Sequence, residues 1–419
     1  MGDVYIVGTA MTPFGRYYEK SVKRLTREAV TGALNDAALD KGAVGAAYFA
    51  NTTQGLLEGQ HLVPGEMALR DMGFQGIPMM NVENACASAS SAFHSAYLAV
   101  KAEMAEVALA VGADKMYDAD KAKSFAIFDG ALDVHEADAT FAGLEALGRG
   151  VEPPDGTRIP NDRRSPFMDV YASFAKFHMK SFGSTQRQFA AVAAKNHHHS
   201  TMNPLSQYRD AYSIDDILTA RLISWPLTLP MCAPISDGAA AAILCGEDYL
   251  DSLEEPARRR AVRIGACEIG TGIDRAPEEV EKHITRLTAN RAYDRAGVGP
   301  EDMSVAEVHD ATAFGEVTQT ENLGFCEFGQ GAWIAERGET TIGGRIPINP
   351  SGGLESKGHP IGATGLGQLY ELTTQLRGEA GPRQVEGARH AIAENGGGIY
   401  GIEESVCCVT ILAKDQSIS

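Results

Sequence analysis

A repeated switch of hydrophobic period, from continuous apolar runs to a 3.6-residue pattern, most restricts the folds open to this chain. Residues 3–9 (DVYIVGT) read as a buried strand, and 21–40 carry the helical period and open on Ser21. Residues 76–83 then read as a strand, 85–104 as an Ala-rich helix and 107–113 as another buried strand. Such alternation predicts a layered α/β fold and disfavours a helical bundle or a β-sandwich. From about 118 to 230 it stops. This stretch is rich in Asp, His, Arg, Met and Phe, with broken helical patterns at 168–181 and 185–198, and reads as an insertion that carries binding surface. Strands are again expected at 239–245, 261–268, 303–308, 389–393 and 405–412, helices at 312–323 and 363–377, and a turn-rich stretch at 343–362. The second half thus repeats the theme of the first, without visible sequence identity between them.

The 419 residues are enough for two packed units. A formal charge of −18 argues against nucleic acid or an anionic membrane surface as main partners, yet leaves room for a small anion held by local Arg or Lys. No apolar run is long enough to span a bilayer, and the segment MGDVYIVGTA has no basic region ahead of a long apolar stretch. A cytoplasmic location is expected. The seven cysteines, at 86, 232, 245, 267, 326, 407 and 408, include no C-x-x-C and read as reduced thiols. No metal site is legible. The run His197-His198-His199 reads as structural, because adjacent side chains point in different directions.

Four segments carry chemistry. In NVENACASASSAFHSAYLAV, Cys86 follows a strand and falls at the first turn of a helix, where backbone N–H groups and the helix dipole favour a thiolate. The alternative there is a buried structural cysteine. In NPSGGLESKGHPIGATGLGQ, eight glycines fall between 343 and 367, too many for packing alone, and Pro360 fixes the backbone after His359. These rigid surroundings suit an imidazole held as the base for a thiol. In VHDATAF, Asp310 reads as a helix N-cap and His309 as a donor to a carbonyl oxygen. ENGGGIYG satisfies G-x-G-x-x-G, but ESVCCVTIL after it reads as a strand, so a dinucleotide site is rejected; a tight loop able to donate N–H groups to an oxyanion remains.

Taken in order, VYIVGTAMTPFGRY, NVENACASASSAFHSA, VAAKNHHHSTMNP, PLTLPMCAPISDGAAAAIL, EVHDATAFGE and NPSGGLESKGHPIGATG resemble the thiolase superfamily, in particular sterol-carrier-protein-type thiolases and their bacterial thiolase-like relatives. The resemblance implies two βαβαβαββ halves in a five-layered αβαβα arrangement, here 1–255, with a loop domain inserted at about 118–230, and 256–419. It implies that Cys86 is the acyl-accepting nucleophile, that His359 activates it, and that His309 helps form one oxyanion hole. The N–H groups of Cys86 and Gly397 would form the other. Phe167 and Met168 would line the acyl and pantetheine pocket, while Arg163, Arg164, Lys176 and Lys180 are candidates for the phosphates of coenzyme A, the expected co-substrate. No permanently bound cofactor is implied. A homodimer or tetramer is, and some bacterial relatives add a small OB-fold/zinc-ribbon subunit.

One departure bears on the reaction. The family's second cysteine, the acid/base for the α-carbon, is replaced by Asn395 (or Glu394, with the glycines aligned one step differently) in the C-terminal motif and by Ala311 after Asp310. Glu394, another pocket residue, a water or a partner subunit would have to supply the proton. The expected activity is cleavage of a 3-oxoacyl-CoA with a bulky, branched, aromatic or steroid acyl group through an acyl-Cys86 thioester. The competing expectations are acyl transfer to a non-CoA acceptor, aldol-type cleavage, and a non-catalytic acyl-CoA-binding scaffold.

Overall fold

The computed structural model describes residues 2–159 and 165–414. Nine strands form one sheet: β1 (Val4–Met11), β2 (Ala46–Ala50), β3 (Met79–Val82), β4 (Val107–Asp114), β5 (Gly238–Gly246), β6 (Val262–Thr271), β7 (Val305–Glu307), β8 (His390–Gly397) and β9 (Val406–Lys414). Their spatial order is β3-β2-β4-β5-β1-β6-β9-β8-β7. Outward from the β1/β6 seam, the pairings on each side run antiparallel, antiparallel, parallel, parallel. On the second side the last of these is a single bridge between Ala306 and Ile348. The chain therefore repeats one topology twice, which the diverged sequences do not reveal. The seam itself is thin, with only Tyr5 opposite Arg263 and Ile6 opposite Val262.

The helices that matter here are α1 (Val22–Ala37), α2 (Ser88–Lys101), α3 (Pro166–Phe182), α4 (Gln186–Thr201), α5 (Ile284–Ala296), α6 (Ala313–Asn322), α7 (Gly353–Lys357) and α8 (Thr364–Arg377). α1 packs on the outer face of the first half-sheet and α5 on that of the second, while α2 and α8 lie between the two half-sheets. This gives five layers, α-β-α-β-α. Most of the central layer is buried between the half-sheets, which explains why the N-terminal part of α2 is built from Ala89, Ala92, Phe93 and Ala96, with Leu98 exposed nearer its C-terminal end. Small residues let the backbones meet. A β-carbon on Gly365 of α8 would lie 2.0 Å from Ser90 Oγ of α2, and one on Gly112 of β4 would lie 2.0 Å from the Gly362 carbonyl.

Ser21 caps α1 as the sequence predicts, accepting from the Arg24 N–H. The stretches expected to be broken helices are well formed. Ser165 with Pro166 opens α3, and a reciprocal Thr185/Gln188 capping box opens α4. β2, a five-residue strand with both faces buried, was not legible from periodicity. Among the described residues no helix is long and apolar enough to cross a membrane.

A Gly112→Val substitution should destabilise the protein by more than the roughly 1–3 kcal/mol typical of overpacking, because the obstacle is a backbone carbonyl. A lowered denaturant midpoint in urea unfolding is the check.

Candidate active site

Between β3 and α2 the chain makes a strained turn. Ala85 takes φ 48°, a left-handed conformation that costs a residue with a β-carbon about 1–2 kcal/mol. Side chains of α2 hold it: Ser88 Oγ accepts from the Asn84 N–H at 2.8 Å and donates to the Ala85 carbonyl at 2.6 Å. Asn84 Nδ2 donates to Ser91 Oγ at 2.9 Å. The helix starts only at Ser88, so Cys86 stands ahead of its first turn rather than within it. Against this turn lies the backbone of Gly397, where a β-carbon would come within 2.4 Å of the Asn84 carbonyl and 2.7 Å of the Ala87 nitrogen.

His359 precedes α8 as Cys86 precedes α2, and so occupies the matching place in the second half. Its N–H donates to Ser236 Oγ at 2.9 Å. Thr364 Oγ1 donates to the Pro360 carbonyl at 3.0 Å and therefore accepts, at 2.6 Å, from His359 Nδ1–H. That fixes the tautomer and leaves the Nε2 lone pair free to take a proton. The loop is anchored through Gly362, whose N–H donates at 2.6 Å to the buried Asp114 carboxylate at the end of β4.

His309, just beyond β7, is buried, and neither ring nitrogen has a partner among the described residues. A buried imidazole without hydrogen bonds is costly unless a ligand completes it. Its ring centroid is 5.2 Å from that of His359, and one ligating atom each from Cys86, His309 and His359 lies within 4.8 Å of the others. Beneath it, the Glu394 carboxylate accepts from the His309 backbone N–H at 2.9 Å. Asp310 does not cap α6, whose N-cap is Thr312. Its carboxylate instead accepts from the Leu354 N–H of α7 at 2.7 Å, tying the His309 loop to the Gly-rich loop. Asn196 of α4 donates at 3.0–3.2 Å to Asp310, Glu316 and Glu355, and Lys195 Nζ lies 2.5 Å from Glu316. The K-N-H-H-H segment is thus scaffolding for both loops. His197 and His199 are buried in bonds to protein groups, and His198 is exposed.

Electrostatics reverses one expectation. Burial, and next the Asp114 carboxylate, push the Cys86 thiol up to about 12 despite the adjacent helix terminus. Desolvation of a thiolate outweighs the dipole. Burial likewise lowers His309 to about 4 and holds His359 well below the usual histidine range. Both shifts favour the neutral forms, a thiol beside a neutral imidazole.

These groups line a cavity of about 510 Å³. Phe167 and Met168, at the start of α3, form part of its wall with Phe125, Phe128 and Tyr171. Arg163 and Arg164 lie outside the described residues. Lys176 sits 6.0 Å from the Trp225 ring centroid, Lys180 is exposed at the end of α3, and neither lines the cavity. Among the described residues the cationic side chains in its wall are Arg16 and Arg221, neither singled out by sequence, although Arg16 falls within the TPFGRY segment. Of the two residues expected to replace the family's second cysteine, neither lines the cavity. Glu394 is turned beneath His309, and Asn395 accepts from Ser90 Oγ at 2.9 Å between α2 and α8, leaving its Nδ2 unpartnered. Two carboxyls do line it, neither singled out by sequence: Glu83, whose carboxylate accepts from the Ala85 N–H at 2.7 Å, and the buried Glu404.

The "Thiolase, N-terminal domain" model matches residues 4–218, and the "Thiolase C-terminal domain-like" model matches 272–412. The chain belongs to the thiolase family. Sterol carrier protein 2 of Homo sapiens is 37% identical over 401 residues, covering 94% of this chain and 69% of its own. An acetyl-CoA acetyltransferase of Methanothermobacter thermautotrophicus is 34% identical over 402 residues, covering 96% and 98%. The benzoylsuccinyl-CoA thiolase subunit BbsB of Thauera aromatica is 31% identical, covering 91% of each chain. Solved structures share the fold: the Ltp2-ChsH2(DUF35) aldolase at TM-score 0.74 and 21% identity, covering 99% of each chain, and human mitochondrial 3-ketoacyl-CoA thiolase in complex with CoA at TM-score 0.66 and 15% identity, covering 99% and 98%. This thiolase is accordingly a thiolase-type acyltransferase.

Two outcomes follow from the neutral thiol–imidazole pair. Iodoacetamide modification of Cys86 in the free enzyme should rise about tenfold per pH unit, because below its pKa the thiolate fraction does so. A thiolate–imidazolium pair would instead give a plateau from mildly acidic pH. Thr364→Val frees the His359 ring and should slow acyl loading of Cys86 by about tenfold or more, within the ~10²–10⁴ that a positioned base supplies, with the circular dichroism of the native protein retained.

Proposed function

We propose that the protein cleaves a 3-oxoacyl-CoA by thiolysis, carrying the acyl group as a thioester on Cys86 and delivering it to a second coenzyme A. The observation that carries this reading is the meeting of Cys86, His359 and the unpartnered His309 within 4.8 Å in the wall of one cavity. Cys86 Sγ attacks the 3-keto carbon as His359 Nε2 takes its proton. His309 donates to one substrate oxygen, and the N–H groups of Cys86 and Gly397 receive the other.

The phenyl rings of Phe125, Phe128 and Phe167, together with Met168, favour a bulky, branched or aromatic acyl group, and Arg16 and Arg221 are suited to the phosphates of coenzyme A. The presence of an aromatic thioester in the name of BbsB agrees with that substrate class. We further propose a division of the chain at about 255/256, a homo-oligomeric assembly, a cytoplasmic location and an accessory subunit. The DUF35 component of the Ltp2-ChsH2 aldolase and the subunit status of BbsB support the last of these. Aldol-type cleavage is the second reading, favoured by Ala311 at the family's alternative acid/base position and by the likeness to an aldolase.

Intact-protein mass spectrometry after incubation with acyl-CoA and 3-oxoacyl-CoA thioesters tests the proposal. An acyl adduct is expected in the wild type, absent in Cys86→Ala, strongly slowed in His359→Ala and discharged by added CoA. Cleavage of a 3-hydroxyacyl-CoA to an aldehyde without any adduct would replace thiolysis by the aldol reading. Absence of both, with an accessory subunit present, would overturn it.

A further inference from the structure

Thiolysis leaves an electron pair on the α-carbon of the departing acyl-CoA, and the two places where the family keeps a cysteine for that proton hold Ala311 and Asn395. Neither an alanine methyl nor a carboxamide can give up a proton near neutral pH. Glu394 is committed to the His309 backbone and does not line the cavity.

From its place in the cavity wall beside Cys86, Gly397 and His309, we propose that Glu404 is the acid/base that exchanges a proton with the substrate α-carbon. The inference rests on the acyl-Cys86 reading above. The Glu404 side chain passes over Gly396, where a β-carbon would meet its Cγ at 2.7 Å, one residue from the Gly397 backbone that abuts the Cys86 turn. Glycine at 396 is thus what makes room for the carboxyl. Its orientation is fixed from behind. Gln319 Nε2 donates to Oε1 at 3.1 Å, and Asn322 Nδ2 in turn donates to Gln319 Oε1 at 3.0 Å and to His283 Nδ1 at 3.2 Å. His283 Nδ1 also accepts from the Thr285 N–H, so the ring's proton is on Nε2, 3.6 Å from Glu404 Oε2. Arg275 is paired with the neighbouring Glu403 at 2.5 Å, which keeps that cation from holding Glu404 permanently ionised. Burial, opposed by the residue's own backbone N–H and, more weakly, by Arg275 and Gln319, and helped by Glu403, brings Glu404 up to about 7, so that both its forms are available near neutrality. Of the other acidic groups in the wall, Glu83 is exposed and its carboxylate accepts from the Ala85 N–H at 2.7 Å, and the Tyr171 phenol is held well above the usual tyrosine range by burial, so both are poorer matches.

The protons balance across a turnover. As the C2–C3 bond breaks, its electron pair passes to C2, which takes the Glu404 proton; acyl-CoA leaves and Glu404 is a carboxylate. The incoming CoA thiol gives its proton to Glu404 and attacks the Cys86 thioester, and Cys86 Sγ leaves with the proton held on His359.

The test separates this proton from the acyl step. In deuterium oxide, wild type and Glu404→Gln are incubated with acetyl-CoA, following acyl labelling of Cys86 by mass spectrometry and deuterium entry at the thioester α-carbon by NMR. Glu404→Gln should still become acylated yet lose about a hundredfold or more in α-exchange, and Glu404→Asp should recover part of it. Exchange in Glu404→Gln within threefold of wild type overturns the proposal, as does an acylated wild type with no exchange. Failure of the wild type to acylate strikes instead at the thioester on Cys86.

Discussion

The contact between Ser90 on α2 and Gly365 on α8 sets how closely the two central helices approach, and that separation fixes the geometry of the candidate site. Each helix is entered from a loop that carries one of its side chains, Cys86 ahead of α2 and His359 ahead of α8. A side chain at 365 would drive Ser90 and Asn395 away, since its β-carbon would lie 2.0 and 2.7 Å from their oxygens. The five layers are thus a device for bringing two loop ends, 273 residues apart in sequence, into contact. Internal repetition makes this possible, because equivalent positions of a repeated unit meet at its pseudo-symmetry axis.

The polar framework behind the centre is buried carboxyl chemistry. Asp114 gathers N–H and hydroxyl donors from Asn51, Thr52, Thr53 and Gly362, and Asp310 does the same for α7. Lys357 answers Glu307 at 3.0 Å, and Lys195 answers Glu316. Breaking one member of such a pair leaves its partner charged and dry, which is far costlier than loss of a surface pair. Rigidity of the loops comes from here, and the loops need it because glycines give them little side-chain packing of their own.

Most strands and helices were legible because a buried strand and a helix leave different periods in the sequence. Cys86, His309, His359 and Gly397 stood out through their setting in turn-rich, small-residue segments, and the structure brings all four to one cavity. What escaped was long-range. Asp310 satisfies N–H groups 44 and 45 residues away, and a local capping rule cannot see them. The state of the Cys86 thiol depends likewise on the long range: the helix terminus is local, whereas the residues that enclose the thiol, Met116, Phe167, His309 and His359 among them, come from distant segments. Which of Glu394, Asn395 and Glu404 faces the cavity depends on the register of the β8/β9 hairpin, Glu394 opposite Val409 and Gly397 opposite Val406, and a strand's alternation reveals two faces without saying which one is inside.

The same buried carboxyls alter what a polyanion meets on approach. A formal charge of −18 counts every acid as ionised. Yet burial holds Asp310 and Glu355 far above the usual carboxylate range and brings Glu394 to about 8 and Glu404 to about 7. Near neutrality much of the buried acidity behind the cavity is therefore titrated away, while Arg16 and Arg221 stand in its wall. The molecule can be strongly anionic as a colloid, and so resist clumping, while part of that formal charge is neutralised next to the cavity.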